Sequence, residues 1–156
     1  MPFREAIARL ALRDARRFEM QTAAMLRRIL ATCHDNATRT VLQEITAEEQ
    51  QHLQRLEGAA GESQTSAPGP PPELPKMPES PDSRLPEGTV HEKLRAVLKK
   101  EEASATFYHL LAERTLIPAV REVFKEIAAQ EKRHAERLAE LIRRLSGASA
   151  GSEKKP

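Results

Sequence analysis

Shifted by 82 residues, this sequence overlays itself. Glu49 falls on Glu131 and His52 on His134; Val41, Glu44, Ile45, Ala47, Arg55 and Leu56 fall on Val123, Glu126, Ile127, Ala129, Arg137 and Leu138. Upstream, Leu12, Arg13, Glu19 and Ala23 fall on Leu94, Arg95, Glu101 and Ala105, and no gap is needed. This pattern is that of an internal duplication, so the chain has to fold as two equivalent halves.

Each half reads as a pair of helices. Ala, Leu, Glu and Arg dominate, and all are good helix formers; runs of β-branched residues are missing and aromatics make up only 3%. An all-α protein is expected. The first helix covers about 3–31, with Ile7, Leu10, Leu12, Phe18, Leu26, Ile29 and Leu30 as its apolar positions. Asp35 or Asn36 can cap the second, about 36–57, which Gly58 would end. Thr89 and Glu92 form a capping box for the third, about 90–114. Pro118 suits the first turn of the fourth, about 118–145, with Gly147 closing it. Eight of the eleven prolines lie between 68 and 86, so residues 58–89 are expected to be a linker rather than a helix. The tail 147–156 is expected to be disordered. One domain over 1–146 results: hairpin, linker, hairpin.

Composition excludes several classes. A net charge of +2 makes no general case for nucleic acid. The arginines of the first helix (4, 9, 13, 16, 17, 27 and 28) read as a solvated face. Cys33 is the one cysteine, so neither an internal disulfide nor a CxxC metal ribbon is available. No apolar run approaches the roughly 18 residues of a membrane span, and the N-terminus lacks the apolar core of a secretory signal. An Arg-rich transit peptide is discounted because Glu19 belongs to the fold. These features set the expectation of a cytoplasmic protein without nucleic-acid or membrane partners.

Glu49 and His52, like Glu131 and His134, stand three apart and share one helix face. Glu19 sits about 12 residues before the first interhelical turn and Glu49 about 13 after it. At 1.5 Å per residue both are roughly 18–20 Å from the turn, so their carboxylates lie at one level of the hairpin. Glu101 and Glu131 repeat this around the turn near Ile117. Glu19 is in phase with Leu12, Leu26 and Leu30, and Glu101 with Leu94, Leu98, Tyr108 and Leu111, so both point inward. Four inward carboxylates at one level cannot stay charged without compensation. Two histidines are too few, whereas two metal ions suffice, and oxygen-rich sites with one imidazole per metal suit iron or manganese. With 20 Glu and 5 His, one Glu-x-x-His arises readily by chance as surface charge. Two in register, each with a Glu 30 positions upstream, do not. His109 and Cys33 read as packing or surface residues.

These residues resemble the ferritin-like superfamily, and within it the rubrerythrin-type domain. The superfamily's di-iron pattern takes a Glu from each of two helices and a Glu-x-x-His from each of the other two. Glu19 and Glu101 match the lone glutamates; Glu49 with His52 and Glu131 with His134 match the pairs. The stretch EEASATFYHLLAE (101–113) is similar to the third-helix signature of rubrerythrin-like domains. The resemblance covers both hairpins and implies a ferritin-like four-helix bundle holding two irons, with Glu49 and Glu131 as bridges. It implies Tyr108 as the donor or radical trap beside the centre, peroxide or O2 as substrate, and often a homodimer. There are departures. Ser104 stands where rubrerythrins often carry a further Glu, which brings the ligand set closer to bacterioferritin-like centres. Leu26 stands where a Tyr is common. The cysteine-ligated rubredoxin module is absent, so an external electron donor is implied. The expected function is peroxide reduction or Fe(II) oxidation. Its alternatives are non-catalytic iron storage or metal handling, and a structural bundle with a vestigial site.

Overall fold

The computed structural model describes residues 2–62 and 84–152. They form four helices: α1 (Pro2–Thr32), α2 (Asn36–Glu62), α3 (Val90–Arg114) and α4 (Pro118–Ser152). No strand occurs among the described residues, and the architecture is an all-α, ferritin-like four-helix bundle.

Capping residues mark the ends. Asp35 starts α2: its carboxylate accepts from the Thr38 amide at 2.7 Å. Thr89 and Glu92 form the reciprocal capping box of α3. The two interhelical turns are tied alike. Arg39 donates to the carbonyls of Leu30 and Cys33 at the end of α1, and Arg121, its counterpart 82 residues on, donates to the Thr115 carbonyl at the end of α3. Both arginines satisfy carbonyls that a helix end leaves open.

Helix α1 packs on α2 and α3 on α4, and the hairpins meet through α2–α4 and α1–α3. Cross-contacts give the directions. His52 meets Gln130 while His134 meets Glu48, so α2 and α4 run antiparallel. One core cluster joins Ala8–Phe18 of α1 to Phe107–Ala112 of α3, and another joins Met25–Ile29 to Leu94 and Val97; α1 and α3 are therefore antiparallel too. Consequently α2 and α3 point the same way, and the end of α2 and the start of α3 lie at opposite ends of the bundle.

Two helices run further than their glycines suggest. Helix α2 passes Gly58 and Gly61 to Glu62, and α4 passes Leu145 and Gly147 to Ser152. Neither Gly58 nor Gly147 takes a positive φ. A glycine inside a helix costs about 1 kcal/mol relative to alanine. In α2 the turn beyond Gly58 recovers that by burying Ala59 and packing Ala60 against the first cluster. The Pro-rich stretch 63–83 and the last residues 153–156, read as linker and disordered tail, lie outside the described residues.

Candidate metal centre

The two apolar clusters fill the two ends of the bundle, and between them lies a polar layer. Glu19 (α1), Glu49 and His52 (α2), Glu101 (α3), and Glu131 and His134 (α4) are each 0% exposed. The structure thus brings all six residues singled out by the repeat into one layer. Two overlapping groups form, in each of which one ligand atom per residue lies within 4.8 Å of the others: Glu19, Glu49, His52 and Glu131; and Glu49, Glu101, Glu131 and His134. Glu49 and Glu131 belong to both.

The imidazoles are aimed. His52 Nδ1 lies 3.2 Å from a Glu131 oxygen, 3.5 Å from Glu19 and 3.6 Å from Glu49. His134 Nδ1 lies 2.9 Å from Glu49, 3.7 Å from Glu101 and 3.8 Å from Glu131. The Nε2 atoms face away from the carboxylates: His134 Nε2 meets a Glu48 oxygen at 2.6 Å, and His52 Nε2 meets Gln130 Oε1 in a short contact. Carboxylate and amide oxygens only accept, so each Nε2 carries the proton and donates. In a neutral imidazole this leaves the Nδ1 lone pair facing carboxylate oxygens.

Twelve buried side-chain atoms lack a hydrogen-bond partner among the described residues, and nine belong to these six residues: one oxygen of Glu19, both of Glu49, Glu101 and Glu131, and both histidine Nδ1 atoms. Buried polar atoms are ordinarily paired. A layer of converging lone pairs is what a cation requires, and the clusters are compatible with a metal-binding site.

The metal-free electrostatics show the same tension. Burial raises the Glu19 carboxyl well above the ordinary range, and the Glu49 charge adds to it. Burial likewise raises Glu131, reinforced by Glu101, Glu49 and Glu19. Glu49 is held the opposite way: burial would raise it, but the close approach of Glu19, His134 and His52 outweighs that. For His52, burial favours the neutral ring, yet Glu19 and Glu49 overcome it and lift it to about 10. Burial also opposes charge on His134, which Glu101 and Glu49 lift to about 10.

Some residues of the centre were not singled out from sequence. Glu48 and Gln130 precede Glu49 and Glu131 and look like helix surface, but they hydrogen-bond the histidines. Arg137 donates to Glu48 at 3.1 Å and also pairs with Glu44; Arg55, its repeat counterpart, pairs with Glu126. Lys100 is 2% exposed, with its ammonium 4.4 Å from the Phe18 ring centroid and no hydrogen-bond partner. Tyr108, which the sequence did pick out, is fully buried and donates to a Glu19 oxygen in a short hydrogen bond. His109 is exposed beside Glu113, and Cys33 is buried below the first turn.

The rubrerythrin family model matches residues 92–155, consistent with a ferritin-like domain of rubrerythrin type. That stretch is nearly all of the second hairpin; the first is tied to it by the internal repeat. No curated protein and no solved structure gives a significant match.

Proposed function

From a ferritin-like domain of rubrerythrin type, we propose a di-iron carboxylate protein that reduces peroxide or oxidises Fe(II), in iron and oxidative-stress handling. The observation that supports it is the buried layer of nine partnerless ligand atoms. Glu19 and His52 would hold one metal, Glu101 and His134 the other, and Glu49 and Glu131, common to both groups, would bridge. Charge fits this assignment, because four carboxylates balance two divalent ions when both imidazoles are neutral. Iron or manganese suits an oxygen-rich donor set with one imidazole per metal.

Held there, two irons would supply the two electrons that, with two protons, convert peroxide to two waters. The chain's own residues do the rest. The bracing of Nε2 by Glu48 and Gln130 keeps both Nδ1 atoms aimed inward. The apolar layers above and below exclude bulk water. The Tyr108 hydroxyl orients Glu19 and is the proton or electron donor beside the centre. An external electron donor, a homodimer and a cytoplasmic setting complete the proposal. Among the described residues no helix is long and apolar enough to cross a membrane.

The test is anaerobic Fe(II) loading followed by peroxide or air, with metal analysis and an optical spectrum. About two irons per chain and a near-ultraviolet oxo-bridged band are expected. Faster reaction with peroxide assigns peroxidase chemistry, and faster reaction with O2 assigns ferroxidase chemistry. Iron taken up far beyond that ratio would favour storage instead. Combined Glu49→Ala and Glu131→Ala should abolish binding; unchanged stoichiometry in that variant would sink the site.

A further inference from the structure

The 82-residue repeat that aligns the six ligands breaks at three positions around them. Glu48 falls on Gln130, Leu26 on Tyr108 and Phe18 on Lys100. Each difference leaves one half of the centre with a different neighbour from the other half.

Around the imidazoles, His134 Nε2–H donates to the Glu48 carboxylate at 2.6 Å, whereas His52 Nε2–H donates to the neutral carboxamide oxygen of Gln130. An anionic acceptor pulls harder on the N–H than an amide does and leaves more negative charge on the opposite ring nitrogen. Nδ1 of His134 is therefore the stronger donor. Arg137 shares the Glu48 carboxylate at 3.1 Å and tempers the effect without removing the charge.

Around the terminal carboxylates, the Tyr108 hydroxyl donates to Glu19 and draws charge away from it. Leu26 has no hydroxyl to give, and neither oxygen of Glu101 has a hydrogen-bond partner. Glu101 is therefore the stronger donor of the two. Both differences act in one direction although they arise on different helices. Lys100 interacts with all four carboxylates, Glu101 foremost; it opposes the trend and is common to every variant compared below.

Building on the two-metal reading, we infer that Glu48 and Gln130 are positioning residues that make the two metal positions unequal. The position of Glu101 and His134 binds a divalent cation more tightly and fills first, and the position of Glu19 and His52 fills second. A chain of this kind holds one metal firmly and exchanges the other.

Anaerobic Co(II) titration against a competing chelator, followed by visible absorption, tests this. The wild-type chain should bind two Co(II) in two resolved steps. His52→Ala should keep the tight step and His134→Ala should lose it. Glu48→Gln should weaken the first step by about 10–100-fold, and Gln130→Glu should strengthen the second by a similar factor, so each narrows the gap. The double variant Glu48→Gln with Gln130→Glu should combine both shifts against the unchanged Tyr108 contact, so that the His52 position fills first. Near-identical side-chain shapes preserve packing, so a merely structural role would not produce this reversal. An unchanged gap in both single variants, or two equal steps in the wild type, would overturn the inference while leaving the two-metal reading intact. No Co(II) bound by the folded wild-type chain would overturn both.

Discussion

At the His52 ring two large effects oppose each other. Removal from water favours the neutral imidazole, while Glu19 and Glu49 favour the charged one and prevail. His134 is balanced in the same way by Glu101 and Glu49. In the metal-free chain both histidines therefore titrate near 10 when folded and near 6.5 when unfolded. A raised pKa contributes stability that is complete below the unfolded value and is lost as pH rises through the folded one. Glu19 and Glu131, raised from 4.5, add a penalty that grows once pH passes that value. Glu49, lowered, contributes in full above 4.5 and leaves the alkaline trend unchanged. The metal-free protein should thus lose stability between pH 6 and 10. Metal binding displaces protons and should strengthen over the same window. Thermal melts in chelator and in excess metal check this: Tm should fall with pH in the first and fall less, or rise, in the second. A chelated sample whose Tm climbs with pH would refute this balance of charges. The six residues of the buried layer were legible at this scale because their spacing repeats. Glu48 and Gln130 were not, because a residue beside a ligand on a helix looks like surface; Glu48 retains 37% side-chain exposure.

Helices are the next level, and their starts were easier to place than their stops. The capping box at Thr89 is encoded within four residues, and α3 begins directly after it. Replacing Thr89 by Ala removes the acceptor for the Glu92 amide and should cost about 1 kcal/mol in denaturant unfolding. A loss below a few tenths would mean that the box does not hold this end. The C-terminal ends of α2 and α4 run past glycines because a glycine only weakens a helix. Whether the next turn survives depends on what it packs against, as Ala59 shows. That contact joins α2 to residues on other helices and is invisible to local pattern.

On the scale of the molecule, the buried layer is an electrostatic liability set between two hydrophobic ones. A cation that binds only the folded chain stabilises it by mass action, about 2.7 kcal/mol per site at a hundredfold excess over Kd. Saturating Fe(II) or Mn(II) should therefore raise Tm by several degrees or more in the wild-type chain, and Glu49→Ala with Glu131→Ala should erase that rise. Metal-independent melting of the wild type would count against any metal role for the layer. The family match reaches only the second hairpin; the first joins it through the repeat and the shared layer.

The sequence by itself determined the two-hairpin plan, the all-α class and the six residues that meet in the buried polar layer. Helical period, caps and duplication are written in short-range spacing, and an inward Glu one turn from an inward His places charge in the core that something must compensate. Tertiary structure alone decided which ring nitrogen of each histidine faces the carboxylates and which neighbour braces the other. It also decided how far each helix runs. His52 and Gln130 stand 78 residues apart, and His134 and Glu48 stand 86 apart. Such pairs form only when the packed hairpins fix the register of one helix against another, and no local pattern carries that register.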